Sequence, residues 1–331
     1  MKSKLILLSL GLALFSMFQL SSCSTTSESK VEEQQYTEEE QRLILRAKKE
    51  MEIGRNMAGR LLRFYGVHND QKLVKYVNQV GNFVVRNSEF PDRRFMFDIL
   101  DSEEVNAYAC PGGYILITLG AVRKATSEAE LAAIIAHEIS HVGNEHMLNK
   151  LASMSEDELE GKKDEKKSTV TDAMMVRKRP EAKASKAGAL LAKYIGGSVA
   201  GLNALAAAKA GMSIIMEKGL GSELEFEADI DGSKYTLDSG YEPYALATFL
   251  CRIYMSKGFK KADCYKSKSK KLAKNKKTVL DRTHPSVPQR IANIKSYLRK
   301  LDARSIVGAK GKKRFLKMKS RLPKAKKIKA S

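Results

Sequence analysis

His137-Glu138-Ile139-Ser140-His141 decides how the rest of this chain is read. Residues four apart on an α-helix share a face, about 5–6 Å apart at Cβ, so the two imidazoles can grip one metal ion. A glutamate between such histidines lies where it can take a proton from a metal-activated water, as in zinc peptidases. The neighbouring residues predict the helix that this chemistry needs. Ser127 precedes Glu130 by three, a capping box that starts a helix after Thr126. Leu131, Ile135, Ile139 and Val142 recur at spacings of four, four and three, an apolar stripe with His137 and His141 beside it. The pattern extends the helix from about Ser127 to Ala152. On such a helix His146 falls about 140° round from His141, which makes it a supporting group rather than a ligand.

Upstream, Glu39–Tyr65 and Asp70–Arg86 have helical periodicity, while Arg94–Leu100 and Tyr114–Leu119 read as strands. Pro111-Gly112-Gly113 breaks the chain before the second of these strands. Tyr114–Thr118 is expected to form the edge of a cleft, where an extended substrate adds main chain to main chain. Downstream, Ser155 to Lys186 is charged and poor in large apolar residues, the composition of a mobile surface loop. Gly188 to Gly211 is rich in Ala and Gly, and its longest uncharged stretch is too short to span a bilayer. It reads as a buried or membrane-grazing helical hairpin. His68, in the loop-like Val67-His68-Asn69-Asp70, is given no role.

The N-terminus speaks to location. Lys2 and Lys4 precede an apolar run from Leu5 to Leu20, which ends in Leu20-Ser21-Ser22-Cys23. That is the anatomy of a secretory signal over residues 1–22 rather than of a membrane span. Small residues followed by cysteine resemble the bacterial lipobox, which would make Cys23 the lipidated first residue of the mature protein. Residues 23–41 are polar and acidic, a flexible spacer. Ser24 after the cysteine points, by resemblance to the enteric sorting rule, to the outer membrane. The body is therefore expected in the bacterial cell envelope, lipid-anchored and facing the periplasm. Export argues against nucleic acid as a partner despite a formal net charge of +21. Much of that charge lies in residues 301–331, where twelve Lys and Arg face only Asp302. Such a run reads as a disordered basic tail, suited to anionic lipid or an envelope polymer. An oxidising compartment would also allow a Cys251–Cys264 disulfide, with Cys110 left buried.

A zinc peptidase needs three protein ligands and an open fourth position. Ser222-Glu223-Leu224-Glu225-Phe226-Glu227-Ala228-Asp229 offers the third, because Glu225 and Asp229 share a helical face. Glu225 could bind the metal while Asp229 accepts the other ring N–H of a ligand histidine. Taken alone, the same spacing also describes an acidic helix surface.

Four separated motifs narrow the choice. They are Asn106-Ala107-Tyr108-Ala109-Cys110-Pro111-Gly112-Gly113, Glu130-Leu131-Ala132 leading into His137–His141, Glu225–Asp229 followed by Gly240-Tyr241-Glu242-Pro243, and Thr283-His284-Pro285-Ser286 with Arg290 six residues after His284. In this order, from about Gly54 to Ile294, they resemble the zinc metallopeptidase family of the HtpX heat-shock protease and the CAAX prenyl endopeptidase, including its exported lipoprotein and BepA-like members. Cys110 departs from the pattern, standing where an aliphatic residue is commoner. The resemblance implies an α+β, zincin-like catalytic domain over residues 42–300, mostly helical with a small mixed sheet beside the active-site helix. It implies one Zn2+ per subunit on His137, His141 and Glu225, with Glu138 as general base and later proton donor. Asp229 would orient a ligand. His284 would stabilise the oxyanion or cap the metal at rest, with Arg290 supporting its loop, and Asn106, Gly113 and Tyr114 would contact substrate. The activity implied is endopeptidase action on unfolded or misassembled envelope proteins. The alternatives are an assembly factor that holds clients in the same cleft with little proteolysis, and a vestigial protease serving as a platform for the basic tail.

Overall fold

Apolar periodicity and capping residues set the helices where the sequence places them. The computed structural model describes residues 36–155, 159, 204–266, 279–302 and 306–323. Helix α1 runs over Glu38–Tyr65, and α2 over Gln71–Arg86. Asp70 caps α2 by accepting the N–H of Lys72 and Leu73, and Leu73, Val77, Val80 and Val84 form its buried stripe. Strands β1 (Met96–Leu100), β2 (Ala107–Cys110) and β3 (Tyr114–Thr118) follow, with a tight turn at Pro111–Gly113 between the last two. After the short α3 (Leu119–Lys124), helix α4 spans Glu128–Gly143 and α5 spans His146–Ala152. Then come α6 (Ala204–Ser213) with a π-helical turn, α7 (Ser222–Asp238), α8 (Ala245–Ser256), α9 (Val279–Thr283), α10 (Val287–Lys300) and α11 (Lys312–Lys319). The fold is α+β and mostly helical.

The sheet order is β1-β3-β2, with β3 parallel to β1 and antiparallel to β2. Alternation along the strands feeds two cores. Phe97, Ile99, Ile115 and Ile117 join α2, α4, α8 and α10 on one side. Leu100, Tyr108, Cys110 and Leu116 join α1, α5 and α6 on the other. This order corrects the expectation that Tyr114–Thr118 is the cleft edge. Both flanks of β3 are paired, so the edge beside α4 belongs to β2. Thr118 N–H bonds the carbonyl of Asn106, which leaves the backbone groups of Ala107 and Ala109 facing outward on alternate positions.

Three other expectations change. The spacer expected to reach residue 41 gives way to α1 at Glu38. The long helix from Ser127 to Ala152 breaks after Gly143, because Glu145 adopts a left-handed conformation (φ 55°) and a new helix starts at His146. The tail is not disordered over 306–323. Ala309 bridges Tyr241 in parallel, Lys310 accepts the N–H of Ala129, and Phe315 is buried at 1% exposure. Three of its charges have partners in the body of the fold: Arg314 pairs with Glu128, Arg321 bonds Asp70, and Lys319 bonds the carbonyl of Ala125. Cys251 and Cys264 are disulfide-bonded, and Cys110 is free and buried. Residues 1–35, including the expected signal and Cys23, lie outside the described residues, as do most of 155–186 and the first part of 188–211. Among the described residues no helix is long and apolar enough to cross a membrane.

Glu128, at the first turn of α4, ties the C-terminal strap to the active helix. It is 2% exposed and accepts Tyr76 Oη at 2.5 Å, Tyr241 Oη at 2.7 Å and the Arg314 guanidinium. Burial alone would raise its pKa, but Arg314 and the two tyrosines hold it below the ordinary carboxylate value. A depressed folded-state pKa gives stability that is complete above the unfolded value and lost as pH falls through the folded one. Glu128→Gln should therefore cost about 1.5–3 kcal/mol at pH 7, as for hydrogen bonds to a charged group. The difference from wild type should shrink below about pH 4. Thermal melts of both proteins at pH 7 and in acid check this; a difference independent of pH would refute it.

Candidate metal centre

Helix α4 carries His137 and His141 one turn apart, and its start is well fixed. The Ser127 hydroxyl accepts the N–H of Glu130 at 3.2 Å. The Glu130 carboxylate takes the N–H of Thr126 at 2.7 Å and is clamped by both Arg252 nitrogens at 2.6 and 2.7 Å. Helix α7 packs along α4 more extensively than any other pair of elements. Gly232 permits this, since a Cβ there would stand 2.8 Å from the backbone nitrogen of His137. Ser140 and Asn144 also hydrogen-bond Asp231 of α7, each at 2.8 Å.

The two helices bring the third residue in. Nε2 of His137 lies 3.2 Å from Nε2 of His141, and the Glu225 carboxylate lies 3.6 Å from the first and 3.7 Å from the second. Ligand atoms of these three residues all lie within 4.8 Å of one another, and all three are buried. Donors about 2.0–2.1 Å from a tetrahedral zinc lie roughly 3.3 Å apart, so the spacing suits a metal ion. The hydrogen-bond pattern asks for one. Nδ1 of His137 faces Asp229 Oδ1 at 3.2 Å, so a proton on Nδ1 has its acceptor there and Nε2 is the nitrogen that can turn a lone pair to a cation. Glu225 Oε2 is buried without a hydrogen-bond partner. A cation between these atoms satisfies both.

Electrostatics agree. Glu138, Glu225 and Asp229 are all buried here against the one buried guanidinium of Arg290. Burial would raise the Glu225 pKa, yet His284, His141 and His137 hold it well below the carboxylate range. For His137, burial and Arg290 push down but Asp229 and Glu225 prevail, raising it to about 9. A site that holds a proton this firmly holds surplus negative charge. Glu138 lies beside His137 and near β2, where the Ala109 N–H donates to its carboxylate. Burial raises Glu138, the His137 charge opposes, and Glu225 raises it again, to about 7.

The remaining expected residues divide. Asp229 lies against His137, its Oδ1 3.2 Å from Nδ1. His284, on the turn between α9 and α10, places Nε2 3.3 Å from Glu225 Oε2 and Nδ1 2.8 Å from Thr283 Oγ1. It touches Glu225 but lies outside the mutually close set. Burial lowers its pKa to about 4, against the pull of Glu225. Arg290, expected to support the His284 loop, bonds the Ser286 carbonyl through its backbone N–H and turns its guanidinium to Asp229. Its Nε and Nη2 bond both oxygens of Asp229 at 2.6–3.2 Å. Asn106 lines a small pocket of about 40 Å³ that opens beside Glu138 and His284 and is walled by Val105, Ile134, Leu246, Phe249, Leu250 and Ile253. Gly113 and Tyr114 do not line it. At Gly113 a Cβ would meet the Arg94 carbonyl at 2.1 Å with φ at +88°, so this glycine serves the turn. Sequence reasoning missed the partners of His146 because it runs the helix through Gly143-Asn144, a stop signal at which the structure ends α4.

Residues 71–298 match Peptidase family M48. Among curated relatives, the "Beta-barrel assembly-enhancing protease" of Escherichia coli (strain K12) is 27% identical over 204 residues, which is 62% of this chain and 37% of the relative. The "Putative beta-barrel assembly-enhancing protease" of Vibrio cholerae serotype O1 is 30% identical over 187 residues, 56% of this chain and 34% of the relative. The chain thus spans little more than a third of the length of these relatives.

Proposed function

The chain belongs to peptidase family M48, a family of metal-dependent peptidases, and from that premise we propose a zinc-dependent endopeptidase of the bacterial cell envelope that cuts unfolded or misassembled proteins. The observation that carries this reading is the convergence of His137 Nε2, His141 Nε2 and the Glu225 carboxylate beside Glu138. His137, His141 and Glu225 would hold one ion per chain, and two imidazoles with a carboxylate suit Zn2+. When bound, zinc supplies Lewis acidity, which brings a water toward ionisation near neutral pH and polarises the scissile carbonyl.

The chain's own residues do the rest. Glu138 takes the proton of the attacking water on its carboxylate and returns it to the leaving amide nitrogen. The Ala109 N–H fixes the orientation of that carboxylate. His284 hydrogen-bonds the carbonyl oxygen as negative charge develops there. Asp229 keeps the Nδ1 proton of His137 in place, and Arg290 keeps Asp229 in place. Substrate lies along the outer edge of β2 and bonds the free backbone groups at Ala107. The apolar cavity beyond Asn106 then takes one apolar side chain next to the scissile bond. A backbone edge with a single apolar pocket suits unfolded clients, whose apolar residues are exposed.

Placement follows from several supports. A Cys251–Cys264 disulfide fits an oxidising compartment. Residues 1–22 act as the signal and Cys23 as the lipid anchor, on the outer membrane. The relatives' name points to the assembly of β-barrel proteins as a source of clients. Lys312, Lys313 and Lys317 stay exposed on α11 and would meet anionic lipid or an envelope polymer.

Metal analysis tests the reading. Wild type purified without chelators is expected to carry about one zinc per chain, and Glu225→Ala far less. Wild type should cleave casein beside apolar residues, and the variant should not. A Glu225→Ala protein that keeps wild-type zinc overturns the proposal.

A further inference from the structure

The expected continuous helix would have turned His146 away from His141; the observed break turns it back. Helix α4 stops at Gly143, and Glu145 takes φ 55° and ψ 30°, a conformation uncommon for residues other than glycine. Two arginines from elsewhere hold this turn, since Arg46 and Arg93 both pair with the Glu145 carboxylate. Helix α5 therefore begins at His146 with the ring folded over the end of α4. Its Nδ1 lies 2.8 Å from Nδ1 of His141, and the residue is 2% exposed.

Two facing Nδ1 atoms at hydrogen-bond distance require one proton between them. His141 can offer Nε2 to a cation only if its own proton is on Nδ1. His146 must then accept at Nδ1 and carry its proton on Nε2. That Nε2 is buried without a hydrogen-bond partner, and Glu227 Oε2 lies 3.6 Å away. Glu227 stands on α7 two residues after Glu225, so one helix turn delivers both a metal ligand and the far end of this chain of contacts.

We infer that His146 is the positioning residue of His141, fixing its tautomer and ring plane from behind, with Glu227 as the acceptor that fixes His146. The pair mirrors the other ligand, where Asp229 and Arg290 brace His137. Each imidazole thus has a two-residue support, one reaching carboxylate-first and one through a second imidazole. The inference rests on the reading of His137, His141 and Glu225 as ligands.

Zinc affinity of the full chain, measured by chelator competition, tests it. His146→Leu keeps the bulk but cannot accept a hydrogen bond, and is expected to bind Zn2+ about 10–100-fold more weakly. His146→Asn places an acceptor oxygen near the Nδ1 position and should recover most of that loss. Glu227→Gln, a change at a half-exposed side chain, should weaken binding by a smaller factor, about threefold to tenfold. The far-UV circular dichroism of the zinc-free variants should match wild type. Equal losses for Leu and Asn would show that His146 only fills space, and affinity within twofold of wild type for His146→Leu would also overturn the inference. Should the leucine protein fail to fold, the asparagine and Glu227→Gln proteins decide: strong loss in the first, or none in the second, refutes it. A wild type that binds no zinc, or a Glu225→Ala protein that binds as wild type does, identifies the ligand assignment itself as the failure.

Discussion

Glu138→Gln is expected to lower hydrolysis of an unfolded protein by about 10²–10⁴-fold, the range for removing a positioned general base, with zinc content unchanged. Glutamine has the shape of glutamate and can still accept the Ala109 N–H, so β2 and α4 stay in register. What it cannot do is hold a proton. The carboxylate is suited to that task because burial and Glu225 outweigh the His137 charge and bring its pKa to about 7. That value belongs to the metal-free chain; a bound cation would favour the ionised carboxylate, the form that accepts a proton from water before passing it to the amine. The same substitution removes one of three carboxylates crowded against a single guanidinium, so the zinc-free protein should melt no lower than wild type. Loss of activity without loss of stability separates a catalytic group from a structural one. If Glu138→Gln keeps more than about a tenth of the wild-type rate, Glu138 is not the base.

The site was legible where its chemistry depends on short spacings within one helix. His137 and His141 at i and i+4, and Glu225 and Asp229 at i and i+4, each announce a shared face, and the structure sets the two faces against each other. Gly232 is what lets α7 come so near to α4, and in the sequence it is only a glycine inside a helix. The left-handed turn at Glu145 was not legible for a related reason. Nothing in Val142-Gly143-Asn144-Glu145-His146 demands a left-handed residue at Glu145; distant Arg46 and Arg93 stabilise it. The edge strand was misread because β-branched content marks Tyr114–Thr118 as the strongest strand, and the strongest strand is the buried central one. The basic tail was misread for its charge. Phe315 is the one buried residue of α11, and the neighbouring Arg314 finds its partner in Glu128, 186 positions earlier in the chain.

Arg290→Leu is expected to have the largest effect on stability of any single change at the centre. Asp229 is 0% exposed, and Arg290 neutralises it through three contacts of 2.6–3.2 Å. Breaking a buried pair from one side strands the other charge, at a cost of about 3–5 kcal/mol. For a domain of this size that corresponds to a melting temperature lower by roughly 6–20 °C. Asp229 would then relieve its isolation by protonation or by drawing the proton of His137 closer, and either response disturbs the imidazole that should face the metal. Zinc affinity should fall along with stability. A double variant, Asp229→Asn with Arg290→Leu, removes both charges and should recover much of the melting temperature, because neither partner is left unpaired. It should not recover zinc affinity to the same degree, since a neutral amide makes His137 a weaker ligand than a carboxylate does. The two readouts must therefore separate in the double variant. If they recover together, Asp229 contributes packing alone; if the single variant melts as wild type does, the ion pair is not what holds α10 to α7.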